Sequence, residues 1–410
     1  MRRRSGLVAL LAVMGPGLLA GLSDDDPAGI TTYSILGADY GYQLLWVLSL
    51  STVALIVFHE LGARMGVVTG QGMTGLIRER FGVRWGAGAL LSLVVANVGT
   101  TCAEFAGVAA ATELVGVSRY ISVPLAAALV SVLVLRGGFH RIEHVLLVLA
   151  TAFAAYIAAG VLARPDWGAA ATGLVVPSLP GDRDAILVVT AVVGTTLAPW
   201  GLAFIQSYAV DKRLTPRDLR YERIDVVAGA MMTGIIGLFV VVACAATLYE
   251  DGRSIEEAGD AAAALEPLAG DLASALFGAG LLGAALLAAS ILPLATSYSV
   301  CEAVGREATL DDRFRDAPLF FTVYGIVVVV AVAVVLAPGA PLVPILYLTQ
   351  TLNAVLLLPL LGLLLVLSRD PVVMGRYRSG RIGLAAQSAT VVLVAVCVIV
   401  LAVSAVSDAL

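Results

Sequence analysis

Long apolar runs, each closed by a short polar, glycine or proline interval, recur from one end of the chain to the other. A helix that crosses a bilayer takes roughly 20 mostly apolar residues. Hydropathy and its interruptions predict spans over about 7–36, 43–65, 86–112, 120–135, 143–163, 186–209, 225–248, 272–300, 318–337, 342–367 and 382–405. The first run follows Arg2, Arg3 and Arg4, as a signal peptide would. It carries Gly15-Pro16-Gly17, however, and leads into Asp24-Asp25-Asp26-Pro27 with no small-residue cleavage site, so it reads as a retained first span.

Two of these runs are interrupted in the middle. Ser23-Asp24-Asp25-Asp26-Pro27-Ala28-Gly29 cannot sit in hydrocarbon as ordinary helix. Each charge at mid-membrane costs at least about 2.5 kcal/mol, and Pro27 removes a helix hydrogen bond. The sixth run breaks at Gly194-Thr195-Thr196-Leu197-Ala198-Pro199-Trp200-Gly201. Such breaks are tolerated where protein or a watery cavity satisfies the freed backbone. Paired breaks five spans apart are the pattern of an inverted five-plus-five repeat with a substrate site at the midplane. A simple proline kink accounts for Pro199, but poorly for three adjacent aspartates.

Composition removes several competing classes. With 60% of its 410 residues apolar, 13% charged and a mean hydropathy of +0.96, the chain lacks the charged surface of a soluble domain. It reads as one transmembrane domain, 1–410. The net charge of -5 and the lack of a basic run leave nucleic acid no place to bind. Cys102, Cys244, Cys301 and Cys397 lie far apart in apolar stretches and read as small buried hydrophobes.

If the N-terminus is cytoplasmic, inside segments hold 21 of the 25 Lys and Arg residues, and only Arg119, Arg164, Arg183 and Arg253 fall outside. The positive-inside rule thus predicts a multi-pass plasma-membrane protein with its C-terminus outside. The outer loop at about 249–271, with Glu250, Asp251, Glu256, Glu257, Asp260, Glu266 and Asp271, reads as a solvated acidic loop or as a funnel that concentrates cations.

The breaks offer carboxylates and freed carbonyls around Asp26 and Thr195, with no His, Cys or Met. Oxygen ligands suit magnesium, calcium or manganese, and Ala28, Gly29, Ala198 and Gly201 leave room for the waters that magnesium keeps. Asp26 is the first candidate ligand. Asp24 follows, because alternate residues of an extended stretch share a side. The expected cation site is Asp26, Asp24, Gly29, Thr195, Ala198 and Gln350, and the expected pathway takes in Trp200, Asp25, Glu104 and Asn353.

The sequence resembles the Nramp (natural-resistance-associated macrophage protein) family of divalent-metal transporters, and within it the Nramp-related magnesium transporters. The likeness rests on Gly15-Pro16-Gly17, the Asp26-Pro27 break, Ala63 to Gly70 with Arg78-Glu79-Arg80-Phe81, and Ala103-Glu104-Phe105-Ala106-Gly107. It continues through the sixth-span break, Leu292-Pro293-Leu294-Ala295-Thr296 and Gln350 to Pro359.

The resemblance implies an all-α LeuT-type fold, with inverted repeats at about 7–163 and 186–367 and an eleventh helix at about 382–405. Manganese- and iron-transporting members carry Asp-Pro-Gly-Asn in the first span and Met-Pro-His in the sixth. Here Ala28 and Gly29 follow Asp26-Pro27, and Ala198-Pro199-Trp200 stands in the sixth. Loss of the methionine sulfur removes a preference for transition metals. The missing histidine, an uncharged ninth span and Thr101 in place of an acid remove parts of the family's proton route. The implied activity is carriage of Mg2+ and Mn2+ without strong proton coupling, the alternative being ordinary proton-coupled Mn2+/Fe2+ transport.

Several residues keep two readings. Glu104 faces the pathway or is a buried, paired carboxyl. Gln350, Thr351, Asn353, Thr296, Ser297 and Tyr298 serve the cation or bond between helices. His59 and Glu60, near the inner end of the second span, read as interfacial or structurally hydrogen-bonded.

A cation-coupled organic-solute symporter on the same fold is disfavoured, because three aspartates would repel a substrate carboxylate. An enzyme lacks a nucleophile with a His partner, and an ATP-driven pump lacks a phosphate loop. No cofactor is implied beyond the transported cation, and no partner beyond that cation and the lipid bilayer; no protein partner is inferred.

Overall fold

The computed structural model describes residues 15–136, 154–255, 260–261, 273–306, 312 and 314–407. Among them there is no strand. The helices are α1 (Pro16–Ser23), α2 (Pro27–Tyr40), α3 (Leu45–Thr69), α4 (Met73–Phe81), α5 (Val83–Glu113), α6 (Arg119–Arg136), α7 (Ala154–Leu162) and α8 (Trp167–Val175). They continue with α9 (Arg183–Thr196), α10 (Pro199–Asp211), α11 (Leu219–Cys244) and its π-helical turn Ala245–Tyr249, α12 (Ala273–Val304), α13 (Pro318–Val335), α14 (Leu342–Arg369) and α15 (Arg381–Ser407).

Eight segments of the described chain, the broken sixth span counted as one, are long and apolar enough to cross a membrane. The broken first span is α1 with α2, and α6 and α7 are the shorter pieces. Most of the expected fifth span and most of the acidic loop at 249–271 lie outside the described residues.

Two helices were not expected. α3 runs past residue 65 to Thr69 and ends at Gly70, whose left-handed backbone (φ 65°, ψ 22°) returns its N–H to the Gly66 carbonyl at 2.9 Å. α4 then buries Met73, Thr74, Leu76 and Ile77 and carries Arg78 and Arg80 in its last turn, so its mean hydropathy hides it. α8 is capped by Asp166, which accepts from Gly168 N at 2.8 Å.

Basic residues near one end of the bundle tie helices together. Arg64 donates to the Tyr377 carbonyl at 2.7 Å and pairs with Glu60 at 3.2 Å, and Arg78 donates to the Ala303 carbonyl at 2.7 Å. At the opposite end Tyr40 donates to Asp182 at 3.0 Å and Trp46 to the Ser178 carbonyl at 2.9 Å. The four cysteines are unbridged and buried, as expected.

α11 carries both halves of the broken first helix. Asp225 accepts from Gly15 N at 3.1 Å and Gly17 N at 2.7 Å, capping α1 from a neighbouring helix. Thr233 donates to the Gly21 carbonyl at 2.5 Å. The backbones touch, since a Cβ on Gly229 would stand 2.2 Å from the Gly17 carbonyl oxygen. Higher up, a Cβ on Gly37 of α2 would stand 2.5 Å from the Val241 carbonyl oxygen. Gly229→Val is expected to destabilise the protein by about 1–3 kcal/mol through overpacking. Gly362→Ala, whose methyl would meet nothing within 4 Å, leaves the thermal midpoint in detergent unchanged.

Candidate cation site between the two helix breaks

Both breaks are built alike. α1 and α9 stop, and a single extended residue precedes a proline that opens the next helix. That residue is Asp26 (φ -68°, ψ 169°) in the first break and Ala198 (φ -61°, ψ 136°) in the second. Proline disfavours helix in the residue before it and is preset for the first helical position after it. The carbonyl ends of α1 and α9 therefore meet the amide ends of α2 and α10. Carbonyl ends attract a cation, and amide ends steady carboxylates.

Asp24, Asp25 and Asp26 are each no more than 2% exposed. Among the described residues no Lys or Arg pairs with them. Asp26 accepts from Gly29 N at 2.5 Å, and its carboxyl lies beside that of Glu104 on α5. Gly107, one turn along α5, sets that approach: a Cβ there would stand 2.3 Å from Pro27 Cβ. The Ala103-to-Gly107 segment thus works as a seat for the first break.

Gly29 marks the centre of the cluster. A Cβ on it would meet the Asp24 carbonyl oxygen at 2.8 Å, Thr195 Oγ1 at 3.1 Å and Asp26 Oδ1 at 3.2 Å. Thr195 Oγ1 has no hydrogen-bond partner. Tyr33 and Thr196 join the two breaks by a hydroxyl–hydroxyl bond of 3.1 Å.

The Ala198 carbonyl accepts from Gly201 N at 3.2 Å. The Gln350 backbone presses on Gly194, where a Cβ would stand 2.0 Å from the Gln350 carbonyl oxygen. The Gln350 side-chain oxygen accepts from Asn353 at 3.1 Å, and Asn353 also donates to Thr100 at 3.0 Å. Gln350 is thus bonded within α14, and Asn353 links α14 to α5. Asn97 donates to Thr296 at 2.9 Å, away from the breaks in sequence. Asp25 and the Trp200 indole are buried without hydrogen-bond partners.

Two sequence readings are corrected. Asp24 is not in extended chain: it caps α1 in helical conformation (φ -73°, ψ -17°), so the alternation that paired it with Asp26 does not apply. Its carboxylate faces His59 of α3, with Oδ2 3.9 Å from Nε2. His59 is neither interfacial nor hydrogen-bonded through Nδ1, being 1% exposed. Glu60, the next residue, instead pairs with Arg64 at 3.2 Å and with Arg223 of α11 at 2.8 Å.

A cavity of about 470 Å³ lies elsewhere, at the arginine-rich end, among Arg78, Ser207, Asp211, Tyr298 and Glu302. Glu302 in its wall accepts from Ser207 at 2.5 Å and Thr74 at 3.2 Å. No group of three or more His, Cys, Asp or Glu suited to a metal occurs among the described residues, so any cation at the breaks would rely on carbonyl and hydroxyl oxygens beside the carboxylates.

Two half-helix pairs meeting over buried carboxylates inside a polytopic bundle define a membrane transporter of the LeuT-type inverted-repeat fold. The profile described as natural resistance-associated macrophage protein-like matches residues 17–404, and the chain belongs to that Nramp family, which comprises transporters and not enzymes.

The chain is 30% identical over 405 residues to the divalent metal cation transporter MntH of Burkholderia ambifaria, covering 96% of this chain and 89% of that one. Its fold is similar to that of the Eremococcus coleocola manganese transporter bound to an aromatic bis-isothiourea compound, with a TM-score of 0.76, 20% identity, and coverage of 98% of this chain and 88% of that one. The nucleobase-cation-symport-1 family transporter Mhp1 is similar at a TM-score of 0.58 and 15% identity, with coverage of 90% and 81%.

Gly29→Ala fills the space between the oxygens. It is expected to weaken Mn2+ binding about tenfold or more, equivalent to ~1.4 kcal/mol, in calorimetry on the detergent-solubilised protein, with the helical circular dichroism retained.

Proposed function

We propose that this Nramp-family chain carries divalent metal cations, Mg2+ foremost and Mn2+ as well, by alternating access through the cluster between the breaks, without strong proton coupling. One observation carries the reading: the three atoms nearest the open side of Gly29 are oxygens, from the Asp26 carboxyl, the Asp24 carbonyl and the Thr195 hydroxyl. Such ligands suit hard cations, and magnesium accepts few protein ligands because it keeps its waters. Ala198, standing where manganese- and iron-transporting members carry methionine, supports a wider and sulfur-free site. The names of the MntH relative and of the manganese transporter support a divalent metal as substrate.

In this reading the arginine-rich end faces the cytoplasm of a plasma-membrane protein whose N-terminus is inside. The repeats, about 7–163 and 186–367, move against each other around the site, and the helix at about 382–405 stands outside them. Glu104 beside Asp26 favours the second reading, proton-coupled Mn2+ transport of the ordinary Nramp kind. Thr101 and the uncharged α13 weigh against it.

The test is uptake of Mg2+ and Mn2+ into liposomes that hold a pH dye, for the wild type and Asp26→Ala. Saturable uptake of both ions, lost in the variant and without acidification, is the expected outcome. Manganese uptake with proton influx and no magnesium response returns the protein to the second reading. Undiminished flux in Asp26→Ala removes the proposed site.

A further inference from the structure

Asp24 sends its carbonyl to the oxygen cluster and its carboxylate elsewhere. We propose that this carboxylate and the His59 imidazole form a second cation station, which offers nitrogen as well as oxygen and takes divalent transition-metal ions in preference to Mg2+. The proposal rests on the reading that cations pass the breaks.

Geometry supports it first. Asp24 Oδ2 and His59 Nε2 stand 3.9 Å apart. That is beyond the roughly 2.7–3.2 Å of a hydrogen bond. Two bonds of roughly 2.0–2.2 Å to one ion span about 3–3.5 Å at octahedral or tetrahedral angles, so the pair would close by about half an ångström around an ion.

The donors are also unmet. Both Asp24 carboxylate oxygens are buried without a hydrogen-bond partner, and the Asp24 and His59 side chains are 0% and 1% exposed. Burying such atoms without compensation is costly, so a pair held this way is suited to a ligand from outside the chain.

The space beside the pair is kept open by the absence of a side chain at Gly201. A Cβ there would lie 3.1 Å from His59 Nε2 and 3.4 Å from Asp24 Oδ1. The imidazole is held in register by close packing of α3 on α10, where a Cβ on Gly66 would stand 2.5 Å from the Gln206 carbonyl oxygen.

The chemistry then separates the two stations. Magnesium binds oxygen and water, whereas imidazole suits zinc, nickel and iron. One residue, Asp24, contributes to both, its carbonyl to the oxygen cluster and its carboxylate to the second station. The sequence hid this station because its nitrogen donor comes from a helix outside the breaks.

The test is calorimetry with Co2+ and with Mg2+ on the full chain in detergent, for the wild type, His59→Gln and Gly201→Ala. The wild type is expected to bind Co2+ more tightly than Mg2+, and both variants are expected to lower the Co2+-to-Mg2+ affinity ratio about tenfold or more, as loss of a ligand does. Gly201→Ala keeps both donors and fills only the space beside them, so it decides the matter if His59→Gln does not fold. A wild type without Co2+ preference, or a ratio unmoved in the folded variants, overturns the proposal. Failure of the transport reading itself shows separately, as absence of any metal flux into wild-type liposomes.

Discussion

Three consecutive carboxylates, Asp24 to Asp26, lie inside an apolar bundle with no Lys or Arg paired to them among the described residues, and the rest of the architecture answers to that constraint. A continuous helix would leave them facing hydrocarbon or packed side chains. The break at Pro27 instead puts the amide end of α2 against Asp26 and turns the carbonyl end of α1 toward the same place. The second break, at Pro199, repeats the device from the other repeat, and Tyr33 with Thr196 locks the two together. This excess of acceptors is what the proposed cation site rests on.

Glycines set how closely the surrounding helices approach that region. Gly107 lets α5 press on Pro27 and thereby brings Glu104 to Asp26. Gly194 lets the α14 backbone at Gln350 reach the second break. Small residues at helix contacts are what close packing in a membrane requires, because lipid offers no hydrophobic drive for helices to associate. Here they also fix which polar groups reach the site, so a packing motif and a functional motif share the same residues.

Much of this was legible in the sequence, for physical reasons. Apolar runs announce spans because hydrocarbon accepts little else, and Asp-Pro and Ala-Pro in mid-span announce breaks because no helix accommodates them. The short helices α4 and α8 were missed: the first is amphipathic and rich in arginine, and the second has no length to register as a span. The direction of the Asp24 carboxylate is not legible, because helical geometry persists through Asp24 while Asp26 is extended. Position along a helix does not fix rotation about its axis, which is why sequence alone leaves His59 at the interface while the structure buries it. Side-chain direction in a broken segment is a tertiary property, and neighbouring helices supply it.

α11 has a further consequence. It grips α1 through Asp225, Gly229 and Thr233, and α2 through Val241 and the π-helical turn, so it acts as a splint across a fracture. The two fragments of the first helix cannot swing apart unless one of them peels from that splint. Under the proposed alternating access, release of either fragment from α11 becomes a step of the cycle, set by a helix none of whose side chains is among the proposed ligands.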